Sequence, residues 1–200
     1  MNSNRYTCEI CGGNHPSEAH IAIKSIEVGH GCKFEYDPNT GSMKLMNKEG
    51  TEFDLRGLIP EGTTIEHNTY NYWGFDQYPD GGFVVCVGEF RSEEDIAAFL
   101  HEGGHANDDP EANLAVLKLK DQKDKAQEEL VTLKNLVLDR ETTAWEFAKH
   151  QITEIQKRLG INITDKFVGD GKKFPDIEQY IKSFLCAYEQ SHDKLIKGGE

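Results

Sequence analysis

The sequence has no apolar run long enough to cross a membrane. Its longest, Phe83-Val84-Val85-Cys86-Val87, is the length of a strand, against the roughly 18 residues that a membrane-spanning helix needs. Basic residues are also in short supply: Lys+Arg number 22 against Asp+Glu 35, a formal net charge of −13. Nucleic-acid binding draws on clustered Lys and Arg, and here they are outnumbered and interleaved with acids, so a general nucleic-acid role is not expected. The first seven residues contain no apolar stretch of the kind that opens a secretory leader, which makes the cytoplasm the expected location. Glycine and proline are missing altogether from residues 111–159, which removes the usual helix breakers from that region. The five cysteines are an odd number, two of them arranged as Cys8-x-x-Cys11. That pattern suits metal ligation in a reducing compartment better than a disulfide framework.

What is present suffices for an ordinary core: 37% of the 200 residues are hydrophobic and 10% aromatic, the make-up of one domain with a small appendage. Residues 1–33 hold Cys8, Cys11, Cys32 and His15, His20, His30, with glycines that break any helix, and read as a small zinc-knuckle-like segment. Residues 34–200 read as the main domain. Within it, 34–90 are mainly strands: alternating stretches at 69–73 and 83–90 flank the turn Pro79-Asp80-Gly81-Gly82, a hairpin signal. Residues 91–200 are mainly helices. Ser92-Glu93-Glu94-Asp95 resembles a capping box, and Ile96, Ala97, Phe99 and Leu100 supply an apolar stripe, so a helix is expected over about 93–106. Asp108-Asp109-Pro110 ends it and starts the next. Apolar residues at helical spacing fill 111–159 with one long helix or two, closed by Gly160. The mixed charges of 118–129 read as a solvated face or the tip of a helical hairpin. Gly169-Asp170-Gly171 marks a loop, and Pro175 introduces a last helix carrying Ile177, Ile181, Phe184, Leu185 and Tyr188. The expected fold class is α+β, a short antiparallel sheet packed on a helical bundle.

Within the expected 93–106 helix lies His101-Glu102-Gly103-Gly104-His105, an H-E-x-x-H motif. At spacing i, i+4 the two imidazoles share one helical face, where two nitrogens must be to share a zinc ion. Glu102 is rotated by about 100° from His101 on the helical wheel, which puts its carboxylate beside such an ion, placed to take a proton from an attacking water. Two adjacent glycines cost a helix about 1 kcal/mol each relative to alanine; they are explained if another backbone must come close beneath the metal site. A zinc hydrolase needs a third protein ligand. Glu141 offers one: it lies 36 residues beyond His105 (141 − 105) and shares a helical face with the small residues Ala144 and Ala148.

H-E-x-G-H followed by a helix bearing E-x-x-A-x-x-F-A resembles the gluzincin metallopeptidases, and among them the soluble ImmA/IrrE-like proteases. The resemblance covers residues 92–148. It implies a zincin-like bundle with His101, His105 and Glu141 as zinc ligands, Glu102 as general base and a polypeptide as substrate. Trp145 is a departure, standing where many relatives carry an acidic residue that supports a ligand histidine. In folds of this kind the strand before the active helix lines the cleft, so 83–90 is a candidate edge for a peptide to join, unless the strand is buried between neighbours. Tyr188, His192, His150, His67 and several other tyrosines are candidates for stabilising an oxyanion, with no spacing that chooses among them.

The N-terminal Cys8-Glu9-Ile10-Cys11-Gly12 turn supplies half of a tetrahedral zinc site. His30 and Cys32, or His15 and His20, could complete it, with three thiolates and one histidine (Cys8, Cys11, His30 and Cys32) the preferred set, giving a second, structural zinc. Cys86 and Cys186, each in an apolar stretch, read as small core residues. Two functions follow: a cytoplasmic zinc endopeptidase, or a non-enzymatic zinc-containing interaction protein with a vestigial site. The intact Glu102 favours the first, since a vestigial site has no use for the base.

Overall fold

A computed structural model describes residues 24–29, 31–37, 40–67, 72–77, 82–88, 90, 92–122, 125–163, 167–169 and 172–197. Strands β1 (Lys24–Gly29), β2 (Cys32–Asp37), β3 (Ser42–Met46) and β4 (Glu52–Asp54) pair in chain order as an antiparallel sheet. Alternation decides which face is buried: Cys32 and Phe34 of β2 and Met43 and Leu45 of β3 point into the core, with Phe34 directly opposite Leu45. Residues 24–29 and 32–33, grouped by sequence with the N-terminal segment, are β1 and the start of β2, in one sheet with β3 and β4.

The fold is α+β as expected, and the next three strands add a second sheet to the antiparallel one. β5 (Thr64–His67), β6 (Gly74–Gln77) and β7 (Phe83–Val87) form a second sheet in the order β5-β7-β6. A hairpin is there, β6 running antiparallel to β7, with its first strand at 74–77, just after the expected stretch 69–73, but β5 lies on the far side of β7 and parallel to it. Turn residues specify that β6 and β7 pair; they carry nothing about which strand takes the other edge. The expectation that β7 offers an edge to a peptide is corrected. It is the central strand, and Val84, Val85 and Val87 are buried, which is why its sequence is continuously apolar rather than alternating. Among the described residues, the edge on the side of the helical region is β6.

Four helices follow: α1 (Glu93–Asn107), α2 (Pro110–Asp121), α3 (Gln127–Leu159) and α4 (Ile177–Ile196), with a small hairpin of β8 (Phe167–Gly169) and β9 (Lys172–Phe174) before the last. Their limits follow from local chemistry. The Asp95 carboxylate accepts from Ser92 N at 2.9 Å and Ser92 Oγ at 3.1 Å, half of a capping box. Asp109 accepts from Glu111 N ahead of α2, with Pro110 at the first helical position. Glu129 accepts from Ala126 N at 2.8 Å to start α3, and Gly160, at φ +65°, ends it, a conformation glycine adopts at little cost. Asp176 caps α4 by accepting from Gln179 N. No helix among the described residues is long and apolar enough to cross a membrane.

The core lies where both sheets meet α1 and the C-terminal half of α3, and is built from Phe34, Leu45, Val85, Phe99, Leu100, Trp145, Ile152 and Ile155. Phe34 stacks on Phe90 with ring centroids 3.7 Å apart. α3 is also tied to the first sheet at its far end: Asn47 Nδ2 donates to Leu159 O at 2.9 Å, and Arg158 Nε to Glu52 O at 2.8 Å.

α1 and α3 touch backbone to backbone. A Cβ on Gly104 would fall 2.6 Å from both Cα and O of Ala144, whereas one on Gly103 would meet side chains alone, the tip of Ile59 at 3.1 Å and the ring of Phe147 at 3.8 Å. Gly104→Ala is therefore expected to cost about 1–3 kcal/mol, the range for forcing extra volume into a packed interior. Gly103→Ala should cost less and, because alanine is the better helix former, come out close to neutral. Urea unfolding of the two variants checks this; equal stabilities would show that the helix contact is not tight.

Candidate metal centre

One turn apart on α1, His101 and His105 bring their rings to a centroid separation of 4.7 Å. α3 delivers Glu141 to the same point. His101 Nε2 lies 3.1 Å from Glu141 Oε2, and His105 Nε2 lies 3.6 Å from Oε1. All three residues are buried, and one donor atom from each lies within 4.8 Å of the others. Four tetrahedral ligands about 2.0–2.1 Å from a zinc ion are roughly 3.3 Å from one another, so the two nitrogen–oxygen separations match the spacing of zinc ligands. Despite the 3.1 Å approach, Oε2 forms no hydrogen bond of acceptable geometry. Nitrogen lone pairs and carboxylate oxygen facing a common point would give that pattern. The residues present therefore fit a metal ion bound by two imidazoles and a carboxylate.

The outer edges of the two imidazoles are unusual for such a centre. Among the described residues, neither His101 Nδ1 nor His105 Nδ1 has a hydrogen-bond partner, although a metal-ligating histidine commonly donates its second N–H to a carboxylate or carbonyl. Trp145, at the departure noted in the sequence, stacks on His101 instead, with centroids 4.2 Å apart and planes at 27°. The edge of Phe184 meets the same imidazole at 5.7 Å. Packing, rather than a hydrogen bond, orients this ring. The C-terminal end of α1 is fixed by polar contacts: Asn113 Nδ2 donates to His105 O at 3.2 Å, and Asn107 Nδ2 to Leu58 O at 2.8 Å.

The two carboxylates of the site have opposite electrostatics. For Glu141, burial alone would raise the pKa, but the two facing imidazoles outweigh it and take the carboxyl down to about 2. For Glu102, burial, reinforced by Glu141 and Asp76 and only partly opposed by Arg140, pushes the carboxyl up to about 8. Burial also lowers the pKa of His101, against the pull of Glu141, which favours the neutral imidazole that ligates metal. Opposed shifts of this kind are how one site can hold an acid and a base side by side.

A cavity of about 500 Å³ opens onto these groups, with His101, Glu102, His105 and Glu141 all in its wall. Of the oxyanion candidates, Tyr188 lines it; burial, then the charges of Glu141 and Glu102, raise its phenol to about 12. His150 and His192 are not in the wall, and the side chain of His67 lies outside the described residues. The cavity also receives Tyr72, Trp73 and Phe75 from the β6 edge, Lys120 from α2 and Arg140 from α3, none of which the sequence singled out. The adjacency of Arg140 to Glu141 was the one available signal. Of the N-terminal set, Cys8, Cys11 and His30 lie outside the described residues. Cys32 is in the core, its thiol raised by burial and then by Glu93 and Glu49. Cys86 is half-buried and Cys186 is exposed, so the expectation of a core position fails for Cys186.

No family model, curated protein or solved structure matches the chain. What the site can do is therefore read from its own geometry.

His101→Ala, His105→Ala and Glu141→Ala should each weaken zinc binding by at least about 10–100-fold, the loss that even an outer support of a ligand produces; competition with a chromophoric chelator measures it. The raised pKa of Glu102 carries a sign for stability. The folded state holds this proton more tightly than the unfolded chain, so the group's contribution falls as pH rises from about 4.5 through about 8. In metal-free protein, Glu102→Gln should be more stable than the parent at pH 8 by at least about 1.4 kcal/mol, the worth of one pKa unit, with the gap closing toward pH 4. A gap that does not change with pH in urea titrations would show that the carboxyl is not desolvated.

Proposed function

We propose that this chain is a zinc endopeptidase of the gluzincin type, with His101, His105 and Glu141 holding the ion and Glu102 serving as general base. The observation that carries the reading is the convergence of three buried donor groups within 4.8 Å, with the buried Glu102 carboxyl in the wall of the same cavity. A zinc ion bound there would supply a Lewis-acidic centre that polarises a carbonyl and acidifies a water. Glu102 would take a proton from an attacking water and return it to the leaving amine. Its raised pKa suits both halves of the exchange: it is a better proton acceptor than an ordinary carboxylate, and a positive charge beside it favours the ionised form that accepts. Tyr188, protonated across the ordinary pH range, is available to donate a hydrogen bond toward charge developing on a carbonyl oxygen.

The second sheet supports a peptide substrate. Its β6 edge pairs only with β7 among the described residues, and Trp73, Gly74 and Phe75 at the start of β6 line the cavity. An extended peptide joined to that edge by main-chain hydrogen bonds would run past the site, with the glycine allowing close approach.

Glu102→Gln tests the mechanism. The variant should bind zinc and fold as the parent does, while hydrolysis of a cleavable polypeptide falls by about 10²–10⁴-fold, the usual worth of a positioned general base. Full activity in the variant would remove Glu102 from the mechanism. Failure of the zinc-loaded parent to cleave any member of a broad peptide library would favour the non-enzymatic role.

A further inference from the structure

The chain carries a formal charge of −13, yet two cations, Arg140 and Lys120, face the cavity beside the metal-ligand triad. Most cationic side chains for which α3 contacts are described have work to do. Lys134 pairs with Asp193 at 2.7 Å, Lys149 with Glu178 at 2.5 Å, and Arg158 donates to Glu52 O. Arg140 differs. Its side chain is only 14% exposed, and its closest ion-pair approach, Nε to Asp108 Oδ2, is 3.7 Å. That is too long for a hydrogen bond, and Nε is buried with none. A largely buried guanidinium whose Nε finds no hydrogen bond among the described residues is unfavourable unless something else satisfies it. Its planar fork matches a carboxylate in two-point contact. Lys120, exposed at the end of α2, adds a second positive charge in the same wall.

We infer that Arg140, assisted by Lys120, binds a carboxylate of the substrate, so that the cavity selects peptides bearing an acidic group beside the bond at the metal centre. This assignment rests on the peptidase reading and names its substrate class. The two acids in the wall, Glu102 and Glu141, are spoken for by proton transfer and metal binding, which leaves Arg140 and Lys120 as the groups able to recognise charge. The same wall carries Tyr72, Trp73, Phe75 and Trp145, and a charge-assisted hydrogen bond is stronger beside apolar rings than at an open surface. The carboxylate has two sources, an Asp or Glu side chain or the free C-terminus of a peptide. The first makes an endopeptidase selective for acidic sites, the second an enzyme that trims ends.

Both tryptophans of the chain, Trp73 and Trp145, line the cavity, so intrinsic fluorescence reports binding without turnover. The zinc-loaded full-length Glu102→Gln protein is titrated with matched peptides, Glu against Gln at one internal position and free acid against amide at the C-terminus. The acidic member of one pair should bind at least about tenfold more tightly, the worth of a hydrogen bond to a charged group. Arg140→Gln in the same background should abolish that preference, and Arg140→Lys should restore part of it. Lys120→Glu, at an exposed position, should reduce it and flatten its dependence on salt. Equal binding of both members in both pairs, or a preference untouched by Arg140→Gln and Lys120→Glu alike, would overturn the assignment. The peptidase reading fails separately: cleavage of acidic and neutral peptides at equal rates by the parent would refute the carboxylate site alone. An Arg140-dependent binding preference in a protein that cleaves nothing would uphold the carboxylate site and remove the peptidase reading.

Discussion

The contact of Gly104 with the backbone of Ala144 sets the distance between α1 and α3, and the metal centre depends on that distance. His101 lies three residues before Gly104 on α1, His105 directly after it, and Glu141 three residues before Ala144 on α3. A Cβ at position 104 would overlap Ala144; the helices would part by a fraction of a side chain, and three donor atoms that now lie within 4.8 Å would separate. The glycine pair weakens the helix it sits in by about 1 kcal/mol per residue relative to alanine. Tertiary packing offsets this, since Ile96, Phe99 and Leu100 on α1 and Ala148, Ile152 and Ile155 on α3 bury the two helices against a common core.

The parts of this arrangement that are local in the chain were readable in the sequence. The acids after Ser92, the Asp109-Pro110 step and Gly160 mark helix ends through contacts spanning a few residues. The H-E-x-x-H spacing fixes its own geometry once the helix is granted. Glu141 was reachable because Ala144 and Ala148 mark a face that packs closely. Long-range choices were not readable. Nothing in 64–67 states that β5 joins β7 on the side away from β6, since strand order is settled by loops and by the surface the sheet must cover. Lys120 belongs to a stretch whose mixed charges read as solvated, and only the placement of α2 beside the cavity gives it a different neighbour. Arg140 is one more charged residue on a helix until the depth of its burial is known.

Trp145 changes the character of the centre. Where a carboxylate behind a ligand histidine would fix the ring by a hydrogen bond and make its nitrogen more basic, an indole stacked at 4.2 Å fixes it by shape. Tyr180 and Phe184 meet the indole edge-on in turn, at 5.6 and 5.5 Å. α4 therefore contributes no ligand and still governs the centre, because it closes the aromatic side of the pocket. The low polarity of that side raises the energetic weight of every charge within it, Glu102 and Arg140 included.

The opposed carboxyls of Glu102 and Glu141 make the site an exchanger. Near neutral pH and with no cation in place, Glu141 is ionised and Glu102 holds its proton, so the pocket presents a single negative charge rather than a repelling pair. On the proposed reading, arrival of a divalent ion would favour release of that proton, and the base would become competent in the same event that supplies its reaction partner. Loading and arming would then be one step, and the heat of loading would carry the ionisation enthalpy of whichever buffer receives the proton.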